Sequence, residues 1–205
     1  MLNIAVFASG RGSNFESLHR AILDQNIPAR IVVVISNNSQ AGALAIARSQ
    51  NIPALHLSQK NFSDEEHYVQ HLLRVLNSYA VNFIVLAGYM KKIHGEIISS
   101  FHNKIINIHP ALLPKFGGAG MFGHHVHEAV IAAKEKKSGA TVHIVDEEYD
   151  RGAIVLQDSV EVEEHDTPES LAAKVLKIEH VLLPKVVRLF AENKIIIENR
   201  IVRFI

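Results

Sequence analysis

Apolar and polar positions alternate in blocks along most of the chain. Short apolar runs rich in β-branched residues fall at 3–8, 30–36, 54–57, 83–87 and 104–109. Amphipathic stretches lie between them, around 15–23, 41–49, 64–76 and 96–101. Near-continuous apolar runs, as opposed to strict alternation, mark strands buried on both faces of a parallel sheet. Strand–helix alternation at this spacing predicts βαβ units with right-handed crossovers. Ser63, followed three residues later by Glu66, reads as a capping box that opens the third helix.

The pattern changes after His109. Residues 110–124 hold Pro110, Pro114 and four of the eleven glycines, Gly117, Gly118, Gly120 and Gly123. A stretch that long without a regular pattern is usually functional or mobile. A short helix is predicted around 126–134, then strands at 140–146 and 154–162 joined across 147–152. Thr167-Pro168-Glu169 opens the longest helix, with an N-cap, a proline at the first helical position and an early acid. Pro184 is expected to kink that helix or to begin a new turn. The tail 194–205 reads as a β-hairpin turning near Glu198-Asn199-Arg200. The expected fold is one α/β domain over 1–205.

Composition narrows the classes. The 205 residues carry 21 Lys and Arg against 21 Asp and Glu, 13 His, no Cys and no Trp. A chain of this length buries roughly 70% of its unfolded surface, enough for a hydrophobic core without staples. Without cysteine there is no disulfide scaffold, thiolate zinc site or cysteine nucleophile. A balanced charge argues against nucleic acid as a partner. No apolar run approaches the ~18 residues of a membrane span, and Met1-Leu2-Asn3-Ile4 lacks the basic n-region of a signal peptide. The expectation is a cytoplasmic protein that handles small molecules, without nucleic-acid or membrane partners.

Two segments carry candidate chemistry. Ser9-Gly10-Arg11-Gly12-Ser13-Asn14 lies where the first strand hands over to the first helix. Small residues there let backbone N–H groups approach an anion at the positive end of the helix dipole. Phe15 stands where a dinucleotide fingerprint needs its third glycine, and no Lys-Ser/Thr pair completes a P-loop, so a single phosphate is the expected ligand. The alternative is a tight turn with a Ser or Asn helix cap.

Asn107-Ile108-His109-Pro110 ends the fifth predicted strand, the edge where open α/β sheets bind ligands. Asn107 and His109 share one face of the strand. Asn107 is a non-titrating donor, and His109 can hold or deliver a proton near neutrality. Asp150, in the loop after a later strand, is the best candidate for a partner that orients the imidazole and favours its protonated form. The alternative is a hydrogen-bonded structural histidine. His124-His125-x-His127 lacks a closing carboxylate–histidine signature, so no metal site is expected. His143 reads as a core residue or as one that supports the site from behind.

Together these segments resemble the glycinamide ribonucleotide formyltransferase family. The resemblance covers nearly the whole chain. It runs through Ser9–Asn14, Leu86-Ala87-Gly88-Tyr89-Met90 and Asn107-Ile108-His109-Pro110-Ala111-Leu112-Leu113-Pro114-Lys115-Phe116. It continues through Thr141-Val142-His143, Glu148-Tyr149-Asp150-Arg151-Gly152 and Glu179-His180. It implies a Rossmann-like, three-layer α/β fold with a mostly parallel central sheet. It also implies a ribonucleotide-binding half, about 1–100, and a catalytic and folate-binding half, about 101–205. Gly12, Ser13 and Asn14 match the positions that grip the 5′-phosphate, and Glu179 matches the residue that holds the ribose hydroxyls. Met90, Lys91, Lys92, Ile93, Asn107, Asp146, Glu147, Glu148, Tyr149 and Asp150 match the folate-binding positions. Asn107, His109 and Asp150 match the catalytic trio. The implied cosubstrate is 10-formyltetrahydrofolate, with no metal, in a monomer or homodimer.

Two departures stand out. The segment 116–125 is longer than the common form of the family and is expected to act as a mobile lid near the folate and the phosphate. Glu65 stands where many relatives carry a basic residue, whose place His67 or a nearby lysine could take. Three other readings remain. A formyltetrahydrofolate deformylase is a hydrolase with similar residues but usually an N-terminal regulatory domain. A methionyl-tRNA formyltransferase adds a nucleic-acid-binding domain. A non-catalytic nucleotide-binding module would use the glycine turn alone.

Overall fold

A computed structural model describes residues 1–205. The chain is α/β, with seven strands ordered β3-β2-β1-β4-β5-β6-β7 and a separate two-stranded pair, β8-β9. It divides into two compact units, Met1–Ile106 and Asn107–Ile205. No helix is long and apolar enough to cross a membrane.

In the first unit, β1 (Leu2–Phe7) pairs in parallel with β2 (Ala29–Ser36) on one side and β4 (Phe83–Leu86) on the other, and β2 pairs with β3 (Ala54–His56). Residues Ile4 to Ala8 are wholly buried, which is why their sequence is apolar without alternation. Helices α1 (Ser13–Asp24), α2 (Gly42–Ser49), α3 (Glu65–Ser78) and α4 (Gly95–Ser100) follow the strands. In α1 the buried residues Phe15, Leu18, Ala21 and Ile22 fall at helical spacing on one face. Fully burying a residue such as Phe15 contributes about 1.5–3 kcal/mol.

The start of α3 differs from the capping box expected at Ser63. Asp64 is the N-cap, and its Oδ1 accepts the His67 backbone N–H at 2.8 Å. Ser63 sits one residue outside, its hydroxyl donating to Asp64 Oδ2. An anionic acceptor at the positive end of a helix outcompetes a neutral hydroxyl beside it.

The second unit opens on the end of β5 (Ile105–His109) and continues through α5 (His124–Ala132), β6 (Lys137–Ile144), β7 (Ile154–Glu161) and α6 (Pro168–Ala191). The hairpin β8 (Ile195–Glu198) and β9 (Ile201–Phe204) closes it. β6 starts three residues before its expected position and pairs antiparallel with β7, with a register shift between Val142 and His143. α6 packs against β6, β7 and α5. Thr167 caps it reciprocally with Ser170, at 3.2 and 3.0 Å, and Pro168 takes the first helical position. The helix continues through Pro184 as one element and begins no new turn there. Leu182, Leu183, Val186 and Val187, all buried, anchor both sides of the missing N–H.

Candidate active site

In the first unit, Gly12 is the N-cap of α1 at φ 90°, and no side chain caps that helix start. Ser13 and Asn14 form its first turn, and the Ser or Asn cap considered as the alternative is not formed. Gly12 also lies against α2: a Cβ there would stand 2.7 Å from the Ala43 Cα. Both the left-handed backbone and the close approach require glycine. Ser9, nearly buried, joins three segments. Its hydroxyl donates to Asn37 Oδ1 at 2.5 Å and accepts the Met90 N–H at 2.8 Å, and its N–H reaches the Gly88 carbonyl. The loop after β4 is thereby tied to the end of β1. In that loop Met90, Lys91 and Lys92 are exposed and Ile93 is buried.

In the second unit, Asn107, His109 and Asp150 come together. His109 is 3% exposed. Its Nδ1 lies 3.6 Å from Asp150 Oδ2, and its Nε2–H donates to the Phe116 carbonyl at 2.8 Å. Asp150 stands at φ 55°, and its Oδ2 accepts the Gly118 N–H at 2.9 Å. Its Oδ1 lies 3.5 Å from Asn107 Nδ2 and 3.4 Å from His143 Nε2. His143 donates from Nδ1 to the Ile144 carbonyl at 2.8 Å, and its Nε2 also lies 3.1 Å from Asn107 Nδ2.

Asp150 favours the protonated form of His109, as expected, but burial opposes it. Burial lowers the pKa of His109, and this outweighs the attraction of Asp150 and the bond to Phe116. Asp150 therefore does not hold His109 protonated; the imidazole is neutral near pH 7, with its hydrogen on Nε2. Burial works to raise Asp150, but the bond to His143, the charge of His109 and the Gly118 N–H together leave it below the ordinary carboxylate value. The result is an anionic carboxylate beside a neutral imidazole.

His143 is the side chain whose importance the sequence understated. It is 2% exposed and joins Asn107 to Asp150. The only signal was its place two residues after Thr141 on a strand. Thr141 is itself fully used: its hydroxyl donates to the Ala111 carbonyl at 2.6 Å and accepts from the Leu113 N–H and Gln157 Nε2. That pins the segment following His109. The backbone partners at Phe116 and Gly118 carry no sequence signature.

Of the folate candidates in this unit, Asp146 is half-buried, and its Oδ1 accepts the Glu148 N–H at 3.1 Å. Glu147, Glu148 and Tyr149 are exposed. Glu179 is buried within α6. The histidines at 124–127 serve separate ends. His124 faces Glu128 and Glu169 at 3.3 and 3.4 Å, His125 faces Glu128 at 3.2 Å, and His127 is buried. In the first unit His67 Nδ1 is engaged by the Asp64 carboxylate at 2.7 Å, and Glu65 faces His94 at 3.5 Å.

Residues 2–187 match the formyl transferase family. The chain is 36% identical to the phosphoribosylglycinamide formyltransferase of Bacillus subtilis over 92% of its own length and 94% of that protein. It is 42% identical to the chloroplastic phosphoribosylglycinamide formyltransferase of Arabidopsis thaliana over 94% of its length, and spans 66% of that relative, just under two thirds. Among solved structures, glycinamide ribonucleotide transformylase 1 from Symbiobacterium toebii matches with a TM-score of 0.93 at 36% identity, covering 100% of this chain and 94% of that one. On the family match and these full-length likenesses, the chain belongs to the formyl transferase family, among the phosphoribosylglycinamide formyltransferases.

Proposed function

We propose that this chain transfers the formyl group of 10-formyltetrahydrofolate to the amine of glycinamide ribonucleotide. The products are formylglycinamide ribonucleotide and tetrahydrofolate, in purine biosynthesis. The observation that carries this reading is the convergence of Asn107, His109 and Asp150 in a chain of this family.

The chemistry follows from those three groups. The substrate's neutral amine attacks the formyl carbon, and the carbonyl electron pair moves to oxygen. His109 stabilises that oxygen as a neutral donor through Nε2–H, assisted by the Asn107 amide. The Phe116 carbonyl oxygen, 2.8 Å from Nε2, stands where the formyl oxygen is to sit. The segment 116–118 therefore withdraws as the folate enters, in keeping with a lid. Asp150, anionic, takes the proton from the attacking nitrogen through a water. The carbon–N10 bond then breaks and N10 receives that proton.

The remaining roles rest on the family likeness. Gly12, Ser13 and Asn14, at the start of α1, suit the 5′-phosphate, and Glu179 the ribose hydroxyls. Met90–Ile93, Asp146–Asp150 and Asn107 are the positions this likeness assigns to the folate. The half about 1–100 then serves mainly the ribonucleotide, and the half about 101–205 mainly catalysis and the folate, with Met90–Ile93 and Glu179 as the exceptions.

The test is direct. Purified protein is supplied with glycinamide ribonucleotide and a 10-formyl folate, and the released folate is followed by absorbance. His109→Ala and Asp150→Asn are expected to lower the rate by about 10²–10⁴-fold. Turnover without the ribonucleotide would instead identify a hydrolase. Ribonucleotide binding without any turnover would leave a binding module.

A further inference from the structure

We infer that Arg200, in the turn of the C-terminal hairpin, is a positioning residue for the loop that carries Asp150; the kinetic part of this inference rests on the substrates proposed above. β8 and β9 pair with Glu198 opposite Ile201, so Asn199 and Arg200 form a two-residue turn. Both have positive φ, 50° and 63°. A turn of that hand favours Asn followed by Gly. Arginine in the glycine position is strained, and such strain persists where the side chain serves a purpose.

The purpose is visible in what its guanidinium reaches. Arg200 Nη2 donates to Asp146 Oδ2 at 2.5 Å and to the Arg151 carbonyl at 2.8 Å. Those residues bracket Asp150 and the exposed stretch 147–149. The other Asp146 oxygen already accepts the Glu148 N–H, so the Arg200 contact is passed into the loop backbone. The loop is closed at its base by the Ile144 N–H donating to the Ala153 carbonyl at 2.8 Å. It is closed so tightly that a Cβ on Gly152 would stand 1.8 Å from the Ile144 oxygen. Asp150 is thus held by Gly118 through its carboxylate and by Arg200 through the chain on either side of it. Arg200 is 67% exposed, so its contribution lies in these two bonds and not in packing.

An ordinary surface ion pair would give the same distances, and the test separates the two. Arg200→Gly removes the guanidinium while relaxing the turn, so thermal stability should hold or rise. The KM for the 10-formyl folate should rise about three- to tenfold, the range expected for losing charge-assisted bonds at a partly exposed site. The KM for glycinamide ribonucleotide should stay within about twofold. Arg200→Lys, a single point charge without the planar fork, should fall between. Amide hydrogen exchange across 145–151 should quicken in Arg200→Gly and remain unchanged in α6. Unchanged exchange across 145–151 overturns the inference. So does faster exchange with an unaltered folate KM in an enzyme that transfers formyl to the ribonucleotide. If the wild-type chain transfers no formyl group, the substrate reading fails on its own, and the exchange comparison still decides whether Arg200 holds the loop.

Discussion

His109 and Asp150 are set 3.6 Å apart with the imidazole hydrogen on the far side, donated to the Phe116 carbonyl. Each is shifted down, His109 by burial and Asp150 by its hydrogen bonds and neighbouring charges working against burial. The pair therefore rests as carboxylate and neutral imidazole. A neutral Nε2–H is a sufficient donor to a developing oxyanion, and it leaves Asp150 unprotonated for the attacking amine. The assignment of roles follows from burial more than from the identity of the residues.

That assignment predicts a titration. The imidazole of His109 should show a midpoint below 6.5 in a histidine NMR titration. Asp150 raises the pKa of His109, so Asp150→Asn should move the midpoint further down. A midpoint that rises in Asp150→Asn would contradict the balance between burial and charge described here.

Gly117 offers a way to disturb Asp150 without touching it. A Cβ on Gly117 would lie 2.5 Å from Leu113 Cδ2 and 3.1 Å from Asp150 Cβ. The leucine methyl can swing away, whereas the aspartate must give by a few tenths of an ångström. Gly117→Ala should therefore cost little stability and lower kcat by about tenfold, in line with the sensitivity of rates to small misplacements. Wild-type kcat with an unchanged melting temperature would show that Asp150 has more latitude than its contacts suggest.

His143 gives a prediction with a pH signature. Its removal leaves the Asn107 amide and Asp150 Oδ1 without a partner they now share. His143→Leu should reduce kcat by about 10–100-fold, the cost of buried polar groups left unsatisfied. Because the bond to His143 lowers Asp150, the acid limb of the kcat/KM profile should also move to higher pH. His143→Gln, which keeps a polar end, should recover part of both effects. A lowered rate with an unmoved acid limb would mean that His143 only fills space.

How much of this could be read beforehand depends on what each feature is made of. The strand at 3–8 was legible because burial on both faces leaves an unbroken apolar run, and β1 occupies Leu2–Phe7. The hairpin turn at Asn199-Arg200 was legible from local turn chemistry. Asn107, His109 and Asp150 stood out by residue type and place. The charge state of His109 did not, because sequence displays the carboxylate nearby but not the 3% exposure that outweighs it. The hub at His143 was hidden for a related reason: its partners lie 36 and 7 residues away, and a register shift beside it sets its direction. The cap at α3 went to Asp64 over Ser63 because two adjacent acceptors compete and charge decides.

His127 makes the last prediction, on stability. It is 5% exposed, its Nδ1 has no hydrogen-bond partner, and burial, with the charges of His124 and His109, pushes its pKa down from 6.5 to about 4. The unfolded chain then binds more protons than the folded one between those values, so stability rises with pH through that window. The contribution is complete above pH 6.5 and is lost as pH falls towards 4, roughly 3 kcal/mol over the whole span. His19 and His109 are shifted in the same direction and add to the slope. Asp64 and Asp166, held at about 2, lose their contributions only below 3.8, outside this window. In His127→Leu the stability at pH 7.5 should be equal or higher, because a buried unpartnered nitrogen is exchanged for an apolar group of similar size. Of the wild-type loss between about pH 7.5 and 5, roughly 2 kcal/mol should disappear. Urea unfolding at those two pH values measures both quantities, and an unchanged difference in the variant would place the acid sensitivity in the other histidines.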